Sequence, residues 1–261
     1  MNILTAGPWI GEFGWELFCW QSFLRTMSKK FDQTYIASRP GTEYLYKDFC
    51  TEFIPFDADI NTCSAQSNFA KKSKNVFKNI KGCTHISPRK LKGDQEFIKY
   101  GKEDPTLSYD IVMHARAIKV DKTTRWGQNK GASKEVRNWH IDKWNILAGR
   151  LSEIGLRMCS IGIPSASYHV NHTDNLTGIS LERLADVMAS SHLAIGPSSG
   201  PLHFASLCGC SHFVWTASRN KVRYEKLWNP LQTPVRLHID NSWNPKVDSV
   251  YQGVMESLNE I

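Results

Sequence analysis

The stretch His192-Leu-Ala-Ile-Gly-Pro-Ser-Ser-Gly-Pro-Leu-His-Phe-Ala-Ser-Leu-Cys-Gly209 constrains the fold more than any other part of the chain. It begins with an apolar run ending at Gly196 and crosses Pro197, Ser198, Ser199 and Gly200. It continues through Leu202, Phe204, Ala205, Leu207 and Cys208 to a glycine stop, and a second apolar run, Phe213-Val214-Trp215, follows. This order predicts strand, tight turn, helix, strand. Pro201 fits a first helical turn, where its missing N–H is not needed, and Gly209 suits the left-handed residue after the last turn. Ser198, Ser199 and Gly200 put small side chains and backbone N–H groups at the positive end of the helix, a shape that receives an anion such as a diphosphate. The same residues also make a good helix entry without any ligand.

Upstream, Tyr109-Asp-Ile-Val-Met-His114 predicts a strand, and Ile141, Trp144, Leu147, Ala148 and Leu151 form the apolar stripe of a helix ending near Gly155. Arg157-Met-Cys-Ser-Ile-Gly162 is the next strand. A strand-helix-strand unit of this length closes as a parallel pair with a right-handed crossover. Ser180 caps a helix carrying Leu181, Leu184, Ala185 and Met188, and residues 246–259 predict a closing amphipathic helix.

The amino-terminal part has the same grammar. Ile3-Leu-Thr-Ala6 is a short strand running into Gly7-Pro-Trp-Ile-Gly-Glu-Phe-Gly-Trp-Glu-Leu17, where glycines at 7, 11 and 14 permit a tight turn. Their spacing is not that of the dinucleotide fingerprint. Leu17, Trp20, Phe23 and Leu24 then recur at helical spacing. Thr34-Tyr-Ile-Ala-Ser38 and Phe53-Ile-Pro-Phe56 predict strands, with a helix over 42–49 between them. Residues 60–108 are polar and weakly periodic, and short helices with a loop are expected there. A composition change near Pro105 marks the expected boundary between lobes 1–105 and 106–261. The fold class read from these elements is therefore α/β with parallel strands.

The net charge of +7 is concentrated in the middle third. Between Ile60 and Gly93 lie eight basic residues and no acid, and Arg116 to Arg137 adds Lys119, Lys122, Arg125, Lys130 and Lys134 against Asp121 and Glu135. Such runs are commonly solvated surface, but this concentration also fits a polyanionic partner such as nucleic acid. Seven cysteines, with no Cys-x-x-Cys pair, fit neither a disulfide framework nor a zinc ribbon. No apolar run reaches transmembrane length and the start has no charged n-region, so a soluble cytoplasmic protein is expected, in the host cytoplasm if viral.

Asn175-Leu-Thr-Gly-Ile-Ser-Leu-Glu-Arg-Leu-Ala185, followed by Ala194-Ile-Gly-Pro-Ser-Ser-Gly-Pro-Leu-His203, resembles the donor-nucleotide region of GT-B glycosyltransferases of the heptosyltransferase-like kind, glycosyltransferase family 9. The resemblance extends to His114-Ala-Arg116 and to Arg137-Asn-Trp-His-Ile-Asp-Lys-Trp144. It implies the GT-B fold, two Rossmann-like lobes with parallel sheets facing a central cleft, and a nucleotide-sugar donor as co-substrate, with no metal or other cofactor. The donor would lie against Ser198, Ser199 and Gly200, with the His114–Arg116 turn and Arg137 near its phosphates; read from the residues themselves, Arg219, Lys221 and Arg223 could also reach phosphate, and His203 could donate to the donor or simply pack. A guanidinium is suited to neutralising a departing diphosphate. One departure is visible: the acid that often precedes Ser-Gly-Pro in the family is Ser198 here.

The family also carries an acid directly after Ile-Gly in its first turn, and the residue here is Glu12. An acceptor hydroxyl must lose its proton as it attacks, and a carboxylate within hydrogen-bond reach is the usual base. Glu16, four residues on, is the alternative. Trp9, Phe13 and Trp15 crowd the same loop as candidates for stacking on the acceptor, or as core. Arg125, Trp126 and Lys130, on the long connection between Ala117 and Asn138, are candidates for an acceptor clamp. Asp57-Ala-Asp59 has the form used by metal-dependent GT-A enzymes, the alternative that would need a divalent ion.

The acceptor expectation divides three ways. The basic middle third with Trp126 would suit duplex DNA with a base flipped out, resembling phage enzymes that glycosylate hydroxymethylated pyrimidines, and this is the preferred expectation. A cell-surface glycan or glycolipid is the alternative, reached through basic patches at a membrane. A non-catalytic nucleotide-sugar or nucleic-acid binding module is the third, since Ser198 replaces the acid. Sugar, stereochemistry and oligomeric state are not legible.

Overall fold

The computed structural model describes residues 2–57, 76–88, 93–118 and 136–260. The chain divides into two units, Met1–Ile98 and Lys99–Ile261. The segment before Pro105 is tied to the second unit's own elements: the Tyr100 N–H donates to Leu207 O, Lys102 N–H to Asp186 and Asp104 N–H to Ser190 Oγ.

In the first unit a four-stranded parallel sheet runs β3-β2-β1-β4, with β1 at Ile3–Ala6, β2 at Gln33–Ser38, β3 at Glu52–Pro55 and β4 at Cys83–Ile86. The connection from β1 to β2 is a helix, α1 (residues 13–28), whose middle stretch Glu16–Trp20 is a wide turn in which the Gln21 N–H reaches back five residues to Glu16 O. Leu17, Trp20 and Leu24 are fully buried on this helix, as their spacing requires. Two expectations change here. Residues 42–49 form only the short 3-10 turn Glu43–Leu45, held by three-residue bonds from the Leu45 N–H to Thr42 O and the Tyr46 N–H to Glu43 O, each 3.0 Å, in place of helical ones. The polar stretch after residue 60 contributes strand β4, whose burial pattern is that of a half-exposed edge.

The second unit holds a six-stranded parallel sheet in the order β10-β9-β8-β5-β6-β7, with β5 Ile111–Met113, β6 Met158–Gly162, β7 Asp174–Thr177, β8 Leu193–Pro197, β9 Ser211–Thr216 and β10 Val235–Ile239. Counted from β5, this is the doubly wound arrangement 3-2-1-4-5-6, in which the chain reverses direction between β5 and β8. Helices α2 (Ile141–Glu153), α3 (Leu181–Ser190), α4 (Gly200–Cys208) and α5 (Val247–Asn259) make the crossovers and the close. Ser180 caps α3 by accepting the Arg183 N–H at 3.2 Å, and α4 ends on Gly209 at φ 73°.

Its core is built on three tryptophans: Trp139, Trp144 and Trp215 are fully buried with ring centroids 5.2–5.3 Å apart, joining α2 to β9. Trp139 Nε1 donates to Pro245 O at 3.0 Å, so this polar edge is satisfied where α5 approaches. Truncating such a ring to alanine removes about 3–5 kcal/mol.

Candidate functional site

In an open parallel α/β sheet, ligands settle in the crevice outside the carboxyl ends of the strands where the order reverses, because neighbouring connections there leave on opposite faces. In the second unit that point is flanked by His114, after β5, and by Ser198, Ser199 and Gly200, after β8.

The two loops are stitched together. Ser199 Oγ lies 2.8 Å from His114 Nδ1, and Ser167 Oγ, after β6, lies 3.2 Å from His114 Nε2. A ring with both nitrogens engaged by hydroxyls is stable as the neutral tautomer, and burial first, then the charge of Arg116, pushes its pKa down to about 3. Two glycines make room for it. A Cβ on Gly196 would fall 3.0 Å from His114 O, and one on Gly162 (φ 125°) would fall 2.1 Å from Ser167 Oγ. Both are glycine because the loops approach too closely for any side chain.

Ser198 is held from the other side. Tyr224 OH donates to Ser198 Oγ at 3.0 Å and Arg137 Nη1 donates to Ser198 O at 3.1 Å. Tyr224 is itself buried, packed flat on His203 at 4.1 Å, with Trp228 edge-on to His203 at 4.7 Å. Burial raises the Tyr224 pKa and lowers that of His203 well below the usual imidazole value. Arg223 and Arg137 act on both groups as nearby positive charges, Arg223 lying 4.4 Å over the Trp228 ring and Arg137 5.7 Å from that of Trp243. The serine side chains are thus engaged within the protein. Much of the backbone is engaged as well: the Ser198 N–H donates to Trp215 O at 3.1 Å, the Ser199 backbone bonds the Tyr224 hydroxyl and Pro201 has no N–H, which leaves half-buried Gly200 as the first amide at the positive end of α4.

Of the expected donor-side residues, His114, Arg137, Ser198, Ser199, Gly200 and His203 are brought together at this turn. Arg116 is buried, donating to Asn138 Oδ1 at 2.6 Å, and Arg219 is exposed on the 3-10 turn Ser218–Asn220 after β9. Tyr224 and Ser167 carry no signal in the sequence, and Trp228 reads there only as the start of the turn Trp228-Asn-Pro. The wide turn Arg223–Leu227 that delivers Tyr224 has no periodic signature to mark it.

In the first unit the loop after β1 is gripped by its neighbours. The Gly7 N–H donates to Ile86 O at 3.1 Å and the Trp9 N–H to Ala37 O at 3.0 Å, while a Cβ on Gly7 (φ 112°) would collide with Ala37 O at 2.2 Å. Glu12, extended at the start of α1, is exposed. Glu16 is fully buried, and its Oε1 accepts from Ser38 Oγ at 2.5 Å and Tyr46 OH at 2.7 Å. Burial raises its pKa against the lowering effect of those two donors and of Arg39. Of the three aromatics, Trp9 is buried and stacked on Trp20 at 5.6 Å, Phe13 is half-buried and Trp15 is exposed. Arg125, Trp126, Lys130 and Asp59 lie outside the described residues. Among the described residues no group of three His, Cys, Asp or Glu side chains could hold a metal ion, and no helix is long and apolar enough to cross a membrane.

No protein-family model matches the chain, and no curated protein matches it. Solved structures do. An E. coli ADP-heptose LPS heptosyltransferase II aligns over 100% of this chain and 99% of its own at TM-score 0.62 and 12% identity. E. coli heptosyltransferase WaaC with ADP aligns over 98% and 100% at TM-score 0.59 and 12% identity. A glycosyl transferase family 9 protein from Veillonella parvula aligns over 100% and 97% at TM-score 0.60 and 11% identity. The fold is therefore that of the GT-B heptosyltransferases, as the motifs around Ser198 led one to expect, and it is not that of the GT-A alternative.

Proposed function

We propose that this chain is a glycosyltransferase that takes its sugar from a nucleotide-sugar donor and passes it to an acceptor hydroxyl, in the manner of the heptosyltransferases whose fold it shares. The observation that carries the reading is the serine turn at the reversal point of the second sheet, where His114, Tyr224 and Arg137 fix Ser199 and Ser198 at the start of α4. The positive end of α4, opening at half-buried Gly200, suits the donor diphosphate, and Arg137 and Arg223 supply positive charge for the leaving group. Glu12 is the base in this reading, because it is the exposed carboxylate on the first loop. Glu16 has no exposure and its oxygen is already shared by two hydroxyls. An acid so enclosed supports the loop rather than meeting an acceptor. The two units, in this reading, are the acceptor-side and donor-side lobes.

ADP-heptose is the first donor to test, since heptosyltransferase II is described by that substrate and WaaC was solved with ADP. A cell-surface glycan or glycolipid is the acceptor class carried forward. The DNA reading leaned on a basic middle third and on Trp126, most of which lies outside the described residues. The test is release of nucleoside diphosphate from ADP-heptose and a panel of UDP-, GDP- and dTDP-sugars, offered with lipopolysaccharide core acceptors or with hydroxymethylcytosine-containing DNA. Sugar-dependent release with the glycolipid supports the proposal, transfer to DNA redirects it, and tight binding of every donor without release makes the chain a binder.

A further inference from the structure

Three consecutive residues at the carboxyl end of β2 each hold a different point around Glu12. Ala37 O accepts the Trp9 N–H at 3.0 Å. Ser38 Oγ donates to the buried Glu16 carboxylate at 2.5 Å. Arg39 Nη2 donates to Ile10 O. Residues 9 and 10 precede Glu12 and residue 16 opens the wide turn of α1 behind it, so the loop is fastened on both sides of its exposed acid.

The chemistry of the fastening is unusual for a loop. Arg39 is half-buried, which lowers its pKa, while the charges of Glu16 and Glu12 oppose that effect. Glu16 is enclosed, with Tyr46 OH as a second donor on the same oxygen. A guanidinium and a carboxylate withdrawn from water in this way are costly unless each is well partnered, and an apolar residue of similar size at either place would pack without that penalty. Both stand beneath one short loop, Arg39 bonded to it at Ile10 and Glu16 bonded to the strand end at Ser38.

We infer that Arg39, with Ser38 and Glu16, is a positioning residue that fixes the loop bearing Glu12 so that its carboxylate stands at one place. This rests on the reading of Glu12 as the base. A guanidinium does this better than an ammonium because its planar fork holds a fixed direction toward the Ile10 carbonyl while its charge faces both acids. A base displaced by an ångström loses on the order of a hundredfold in rate, so the arrangement acts on turnover and leaves donor affinity, a property of the second unit, untouched.

The test uses the full chain carrying Arg39→Ala, Arg39→Lys or Ser38→Ala, with Glu12→Gln alongside. Amide hydrogen exchange is followed in peptides spanning residues 9–13, with peptides of β1, β2 and the second unit as internal references for global unfolding. Arg39→Ala is expected to speed exchange in residues 9–13 by about tenfold or more, with the reference peptides unchanged, and Arg39→Lys to restore part of the protection. Release of ADP from ADP-heptose is expected to show a lowered kcat at unchanged donor KM. Unchanged exchange at 9–13 in Arg39→Ala overturns the inference whatever donor the protein takes. A slow Glu12→Gln beside a fully active Arg39→Ala overturns it too while sparing the base reading, and a fully active Glu12→Gln overturns the base reading and with it the catalytic meaning of the fastening.

Discussion

The two loops proposed to carry the chemistry are built on opposite plans. Each follows a strand at the reversal point of a parallel sheet, β1 in the first unit and β8 in the second. In the second unit the side chains turn inward, Ser199 to His114 and Ser198 to Tyr224, and the end of a helix, opening at half-buried Gly200, stands over them. In the first unit the backbone turns inward, Trp9 N–H to Ala37 and Ile10 O to Arg39, and a side chain, Glu12, is left outside. In the proposed reading the difference matches the chemistry asked of each loop, since a diphosphate is held well by several fixed dipoles, whereas a proton must be taken by one group of suitable basicity.

The sharpest way to break this comparison is Glu12→Gln. The amide keeps shape and hydrogen bonding but cannot accept a proton, so turnover should fall on the order of a hundredfold to ten-thousandfold. Donor affinity, measured by calorimetry with ADP, should stay within about twofold, because a loop in the other unit supplies it. Equal losses in both quantities would mean that the two plans are not separate.

Next in size is Gly196→Ala. The added methyl would stand 2.9 Å from Leu202 Cδ2 and 3.0 Å from His114 O. Overpacking of this kind destabilises by about 1–3 kcal/mol, and because the clash falls between the two stitched loops, ADP affinity should drop with stability. Gly7→Ala, at φ 112° against Ala37 O, should destabilise the first unit by at least as much, while ADP affinity holds. Thermal unfolding and ADP titration of the pair separate the two sites.

How much of this was legible can be judged element by element. The Ser198 turn could be read because glycine, proline and apolar residues stand at the spacings its backbone demands, and the central strands β5, β6 and β8 because burial on both faces makes them continuous apolar runs. Strands β4, β7 and β10 escaped notice, and each is an edge of its sheet with exposed or half-exposed residues, as in Val235-Arg-Leu-His-Ile239. The site was legible as a turn and illegible as a network. Nothing in sequence spacing says that His114 meets Ser199 across 85 residues, or that Tyr224 rises from a wide turn to meet Ser198. Ser38, Arg39 and Tyr46 were invisible for the same reason, since partners of a buried acid are chosen by the fold.

Acidification should act on the donor plan. His114, with its pKa near 3, and His212, near 4, are neutral in the folded chain, whereas an unfolded histidine titrates near 6.5. The unfolded chain therefore binds more protons below pH 6.5, and stability falls as pH drops from there toward 4, by up to about 1.4 kcal/mol per pH unit for each such histidine. A protonated His114 would also present donors at both nitrogens and lose its acceptor role toward one serine. Urea unfolding of the wild type and of His114→Gln between pH 7 and 5 should show the variant with the shallower slope. Parallel slopes would mean that the ring takes up its proton without leaving the two serines.

The smallest expected effect is the most specific. Tyr224→Phe removes the hydroxyl that donates to Ser198 Oγ at 3.0 Å and leaves the ring stacked on His203. A single hydrogen bond of this kind contributes about 1 kcal/mol net, so stability should fall by that order. ADP affinity should weaken only a few-fold, because Arg137 still holds the Ser198 carbonyl and His114 still holds Ser199. Combining Tyr224→Phe with Ser198→Ala should then be less harmful than the sum of the two, since each hydroxyl loses its value once the other is gone. A double variant that loses the full sum would mean that Tyr224 does not act through Ser198, and that the turn is held by its glycines, Arg137 and His114.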